Sequence, residues 1–188
     1  MRTTPSRRHV ALTAVLLVAL RSIGAAQTAN PAPAVREQRG VYVVTAEFAV
    51  AGPAAAAVAA LTDYENIPRF MPAVKTSRVV ERGEGYALVK QEAEASFMLF
   101  SKKVFLALDV REQPGIIRFT DRCGRSFERY EGTWTVSETG GRTTIAYHLT
   151  AKPSFEVPGF LLKRLLKRDA TQMIGHLQAE IAGRTAAR

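Results

Sequence analysis

PGFLLKRLLKRDATQMIGHLQAEIAG, residues 158–183, is long, uninterrupted and two-faced. Leu162, Leu166, Ala170, Met173, Leu177 and Ile181 follow one another at steps of four, four, three, four and four, which keeps all six on one side of an α-helix. Lys163, Arg164, Lys167, Arg168 and Gln172 take the other side, while Phe160, Leu161 and Leu165 widen the apolar surface over the first turns. Such a helix must cover something apolar, and the chain before it decides what that is.

Upstream the period drops from that of a helix to two. The segment Val41–Val50, VYVVTAEFAV, alternates and is rich in β-branched and aromatic residues, so it predicts a strand. Gly52-Pro53 breaks it, and Pro53 opens a short helix over Ala54–Leu61, since proline is favoured at a first helical position where its missing N–H costs nothing. Tyr64-Glu65-Asn66-Ile67-Pro68-Arg69-Phe70-Met71-Pro72 has room between its prolines for one turn only, a very short helix or a loop. Six further strands are predicted: Val74–Arg82, Tyr86–Leu99, Lys103–Glu112, Ile116–Arg122, Phe127–Ser137 and Thr143–Ala151. The turns at Gly83-Glu84-Gly85, Pro114-Gly115 and Gly140-Gly141 are short, so neighbouring strands are expected to run antiparallel as a meander. Seven strands, two short helices and one long helix make an α+β protein.

The segment Tyr86–Leu99 puts Ala87, Val89, Gln91, Ala93, Ala95 and Phe97 on one face, which is apolar and small apart from the glutamine. Inward positions on the other strands include Leu106, Phe119, Tyr130, Gly132, Trp134 and Tyr147. Two arrangements satisfy this pattern. Either the helix fills the concave face of the sheet completely, or the small residues leave a void lined by aromatic groups.

The order strand, two helices, six-strand meander and long helix resembles the START-like, or helix-grip, superfamily. The phrase Asp63-Tyr64-Glu65-Asn66-Ile67-Pro68-Arg69-Phe70-Met71-Pro72 and the segment Tyr130-Glu131-Gly132-Thr133-Trp134 are similar to its polyketide cyclase/dehydrase branch, which includes coenzyme Q-binding proteins. The likeness spans about Val41–Ile181. It implies a curved sheet wrapped around the C-terminal helix, with a deep apolar cavity between them holding a lipid, isoprenoid quinone, sterol or polyketide. On this reading Phe70, Gln91, Phe97, Leu106, Phe119, Tyr130, Trp134, Tyr147, Phe160, Leu162, Leu166 and Met173 are the expected ligand contacts.

Residues 1–26 have the three parts of an export signal. Arg7-Arg8 precede an apolar run of 11 residues, Val10–Leu20, and Gly24-Ala25-Ala26 supply a small-residue cleavage site. The run is short of the roughly 20 residues that span a bilayer. The expected organisation is therefore a cleaved signal over 1–26, a flexible proline- and alanine-containing linker over 27–40, the ligand-binding domain over 41–183 and a tail over 184–188. Export by the general secretory or the twin-arginine route places the protein in the periplasm or outside the cell. The formal charge of +9 includes Arg2, Arg7, Arg8 and Arg21 of the signal, leaving 22 basic against 17 acidic residues. That balance is too mild for a nucleic-acid binder. Cys123 is the only cysteine, so no intramolecular disulfide forms.

No nucleophile elbow, dinucleotide fingerprint or phosphate-cradling loop is present, and His148 and His176 have no second ligand at metal spacing, so no cofactor, metal or catalytic residue is expected. Phe160 and Leu161 beside Lys163, Arg164, Lys167 and Arg168 match a helix touching an anionic membrane; a solvated helix face accounts for the same charges. Three functions remain: an exported carrier of a hydrophobic small molecule, an aromatase/cyclase in which Tyr130, Tyr147 or Glu128 moves protons, and a membrane-associated accessory protein.

Overall fold

Turn chemistry sets the sheet. Glu84-Gly85, Pro114-Gly115 and Gly140-Gly141 each join adjacent strands through two residues, and the glycines there have positive φ, which tight hairpins demand. The computed structural model describes residues 32–97 and 100–187, with Phe97 and Phe100 in backbone alone; residues 1–26, read as the export signal, lie outside the described residues.

The elements are β1 (Ala34–Gln38), β2 (Val41–Ala51), α1 (Ala54–Leu61), a 3-10 turn (Tyr64–Asn66), α2 (Ile67–Phe70), β3 (Val74–Gly83), β4 (Tyr86–Phe97), β5 (Phe100–Gln113), β6 (Ile116–Asp121), β7 (Phe127–Thr139), β8 (Arg142–Pro153) and α3 (Gly159–Ala186). All strand pairs are antiparallel, in the order β1-β2-β8-β7-β6-β5-β4-β3. After β2 the helical segment carries the chain to the far edge, and the meander then returns strand by strand until β8 pairs with β2. Helix α3 closes the curved sheet on its concave side, which is the helix-grip arrangement expected.

The sheet has eight strands rather than seven. The extra one, β1, lies within residues 27–40, read as a linker. Its sequence AVREQ buries only Val35, and its hairpin turns through Arg39 and Gly40, both at positive φ, with Glu37 Oε1 accepting the Gly40 N–H at 2.8 Å. Arginine is a poor advertisement for a left-handed turn position, so the hairpin left little trace in the sequence. The helix also runs on into the expected tail, through Ala186.

The core differs along the length of α3. Its second half is packed solid: Ile174, Leu177 and Ile181 are buried together with Phe48, Val50 and Ile145 of the sheet and Ala56, Ala57 and Ala60 of α1. Gln178 Nε2 donates to the Ala49 carbonyl at 3.0 Å, tying that half to β2. The first half faces the smaller residues of β4 and leaves space. Leu165 and Ile174 are buried more fully than Leu166 and Met173, which sit half-buried at the edge of the apolar stripe.

Candidate ligand cavity

A cavity of about 200 Å³ lies between the first half of α3 and the sheet. Its floor is Gln91, Ala93 and Ala95 of β4, with Val104 and Leu106 of β5 beside them. Phe127 and Tyr130 of β7 and Tyr147 and Leu149 of β8 form the far wall, and Leu162, Leu165, Leu166 and Ala170 of α3 the roof. The reason is local: strand alternation points alanines inward where valine or leucine would have met the helix. Larger depressions exist. One of about 760 Å³ lies along β3–β5 among Arg78, Lys90, Glu92 and Arg125, and is broad and charged. The cavity under α3 has mainly apolar walls and a few convergent polar groups, the usual composition of a small-molecule site.

Two grooves abut it. One, about 320 Å³, runs between Met71–Val74 and the α3 residues Asp169, Gln172, Met173 and His176, and shares Ala73, Val74 and Asp169 with the cavity. The other lies beside the β8–α3 connection and shares Phe155, Val157 and Leu162.

The polar groups of the cavity are mostly spoken for. The Tyr130 and Tyr147 hydroxyls hydrogen-bond each other. Burial pushes the Tyr130 phenol up to about 12, with the charge of Asp121 adding to it, and burial together with the neighbouring Tyr130 raises Tyr147 well above the ordinary phenol range. Both are therefore hydrogen-bond donors, not bases, at neutral pH. Gln91 Nε2 donates to Ser77 Oγ on β3 at 3.1 Å, across the register pair that these residues form. Asp169 accepts from Arg168 Nε at 3.2 Å and from Arg168 Nη2 at 3.0 Å, both on Oδ1. Burial raises its carboxyl above the ordinary range, against the opposing hydrogen bonds and charge of Arg168. Lys102 sits over the Phe155 ring, 4.8 Å from its centroid.

Of the residues expected to contact a ligand, the structure brings Gln91, Leu106, Tyr130, Tyr147, Leu162 and Leu166 to the cavity wall. Phe119 and Trp134 stand one layer behind. The Phe119 ring lies 5.9 Å from that of Tyr130, and the Trp134 ring 4.2 Å from that of its cross-strand partner Tyr147, so both brace the tyrosine pair. Phe70 packs against the core from α2, Met173 lines the groove at Met71–Val74, and Phe160 is 73% exposed. The side chain of Phe97 lies outside the described residues.

Glu128, which strand alternation from Tyr130 would turn inward and the aromatase/cyclase alternative would use, is exposed and paired with Lys152. A bulge between Phe127 and Arg129 interrupts the alternation, so Phe127 takes the inward place. Lys163, Arg164 and Lys167 are exposed around Phe160, whereas Arg168 is turned to Asp169 and to the Ser96 carbonyl. Val104, Phe127, Phe155, Val157 and Asp169 were not anticipated at the site; the inward phase of β5 pointed to Val104 alone. Among the described residues no cluster of His, Cys, Asp and Glu is placed to hold a metal ion, and no helix is long and apolar enough to cross a membrane.

The phrase shared with the polyketide cyclase/dehydrase branch acts on the scaffold. Tyr64 Oη donates to Glu112 Oε1 on β5 at 2.8 Å, and Asp63 pairs with Arg184 at the far end of α3.

Comparison with known proteins agrees with this geometry. The family model for polyketide cyclase/dehydrase and lipid transport matches residues 42–182. A search of curated protein sequences gave no match. Among solved structures, a Thermus thermophilus protein is 22% identical with a TM-score of 0.66, over 75% of this chain and 97% of its own. The Zhui aromatase/cyclase of a Streptomyces species is 15% identical at a TM-score of 0.66, covering 77% and 95%. A STAR-related lipid transfer protein fragment of Xanthomonas axonopodis is 14% identical at 0.61, covering 81% and 99%. At these identities the likeness is one of fold.

Proposed function

The chain belongs to the polyketide cyclase/dehydrase and lipid transport family, and from that premise we propose that it is a carrier holding a small hydrophobic molecule between its sheet and α3. The observation that carries this reading is the inward pair Ala93 and Ala95 facing Leu162, Leu165 and Leu166 across an apolar space of about 200 Å³. A dry apolar cavity of roughly 150 Å³ accepts benzene, so this one has room for a ring or a short prenyl fragment. A longer ligand would extend into one of the two abutting grooves.

The tyrosine pair favours holding over turnover. A group moving protons at neutral pH needs a pKa near that pH, and both phenols are shifted away from it. Lipid extraction and mass spectrometry of protein purified from the producing cell test the reading. A stoichiometric apolar guest supports it; protein that is empty and binds no apolar probe removes it.

The export pattern of residues 1–26 supports a location beyond the cytoplasmic membrane, and fractionation with N-terminal sequencing checks it. A membrane encounter is the second reading, favoured by one observation: Phe160 stands exposed beside Lys163, Arg164 and Lys167, two residues before the cavity residue Leu162. Sedimentation with anionic vesicles should fall when those three cations become Glu. Sedimentation unchanged by that reversal eliminates it.

A further inference from the structure

Asp169 is the unusual group of this site. It comes from the helix that otherwise contributes leucine and alanine to the cavity, and it lines both the cavity and the groove beside Met71–Val74. Both hydrogen bonds from Arg168 fall on Oδ1, and no hydrogen bond reaches Oδ2 from any described residue. A carboxylate oxygen accepts up to two hydrogen bonds, so Oδ2 retains its full capacity on a residue that lines both cavity and groove. The cations nearby are engaged: Arg168 with Asp169 and the Ser96 carbonyl, Lys102 with the Phe155 ring. Gln91 and the tyrosines, the neutral polar groups of the wall, already have partners, and Glu94, the other carboxylate of the lining, accepts from Ser101 Oγ on its Oε1. The Asp169 side chain is 37% exposed, so water meets that capacity until a ligand donor displaces it and makes a charge-assisted bond in partly apolar surroundings.

From this geometry we infer that Asp169 is the specificity-determining residue of the cavity, its Oδ2 accepting a hydrogen bond from the head of an amphiphile bearing an alcohol or an ammonium. The apolar part of the ligand lies beneath α3, and its donor sits at the junction with the groove lined by Met71–Val74. A free carboxylate ligand is disfavoured because it brings acceptors to an acceptor. The inference rests on the carrier reading and adds the class of its ligand. The burial that raises the Asp169 carboxyl is in keeping with a group waiting for a partner.

The test is a matched eight-carbon series, 1-octanol, octylamine and octanoate, each displacing the neutral fluorophore N-phenyl-1-naphthylamine from the full chain without its signal, at about pH 8, well above the ordinary carboxyl range. Octanol and octylamine are expected to displace at concentrations about tenfold lower than octanoate, the worth of one charge-assisted hydrogen bond. In Asp169→Asn the preference should shrink to within about threefold while the fluorophore still binds, since the amide keeps the size and loses the charge. Equal displacement by all three on the native chain, or tightest binding of octanoate, overturns the role of Asp169 and leaves the carrier reading standing. If neither the fluorophore nor any member of the series binds, the carrier reading falls and this inference with it. The native chain alone decides the headgroup order, so a poorly folding variant does not spare the proposal.

Discussion

Arg184, in the last turn of α3, donates from Nη2 to Asp63 Oδ2 at 2.6 Å, and the same guanidinium reaches Glu180 Oε1 at 2.7 Å and the Ala59 carbonyl at 3.0 Å. This clasp joins the C-terminal end of the helix to the C-terminal end of α1, on the packed side of the molecule and away from the cavity. Burial alone would raise the Asp63 carboxyl, but the hydrogen bonds from Asn66 and Arg184, with the charges of Arg184 and Arg69, hold it below the ordinary range.

Arg184→Ala should therefore cost about 1–2 kcal/mol, since both side chains are largely covered and the geometry supplies several bonds at once. A carboxyl whose folded pKa lies below its unfolded one stabilises above the unfolded value and loses that contribution as pH falls through the folded one. Denaturant melts of the two proteins should thus differ at pH 7 and converge below about pH 4. A difference that persists unchanged in acid would show that the clasp is not ionic.

Tyr147→Phe removes one hydroxyl of the buried pair and leaves that of Tyr130 without its partner. The expected loss is about 1–2 kcal/mol, with the aromatic packing against Trp134 retained.

The same tyrosines set an alkaline limit. Their folded pKa values are raised, as is that of Tyr64, whose burial and bond to Glu112 both favour the neutral phenol. Groups shifted upward stabilise fully below the unfolded value near 10, and the contribution is lost as pH climbs through the folded values. Phenolate absorbance should lag behind that of free tyrosine until the protein unfolds. Ionisation of all five tyrosines near pH 10, with the fold intact, contradicts this.

Ala93→Leu adds side-chain volume to the cavity floor, into existing space and not against packed atoms. Stability should stay within about 1 kcal/mol of the parent. Binding of N-phenyl-1-naphthylamine should weaken by about tenfold or more, because the guest and the new leucine compete for the same volume.

Gly132→Ala has the opposite character. A Cβ there would sit 2.5 Å from the His148 carbonyl oxygen and 2.5 Å from the edge of the Phe119 ring, which crosses the glycine from the neighbouring strand. Backbone on one side and a buried ring on the other leave little to yield, so a loss of about 1–3 kcal/mol is expected in a thermal melt.

The architecture was written in local signals. Alternation in Val41–Val50 and in the six later segments, glycine at the three hairpins, Pro53 at the start of α1 and the heptad-like stripe of residues 158–183 each report a preference that backbone sterics and side-chain direction impose within a few residues. The alanines of β4 were equally legible, because a strand fixes which face a residue takes. Where a signal was locally weak, as for β1 with its Arg39-Gly40 turn, or where a bulge changed the phase, as at Glu128, the pattern misled.

The site depended on contacts between residues far apart in the chain. Nothing in the spacing of Phe119 or Trp134 distinguishes a wall residue from one that braces the wall; that followed from which cross-strand neighbour stood in front. Asp169 reads as one more polar residue on a charged helix face, and only the approach of Met71–Val74 to α3 puts it at the edge of a cavity. Sequence alone determined the sheet, the helix and the small inward face between them, because these are matters of period and size. Tertiary structure decided how much space was left and which polar atom remained unbonded there, because volume and hydrogen-bond capacity are settled only when every neighbour has arrived.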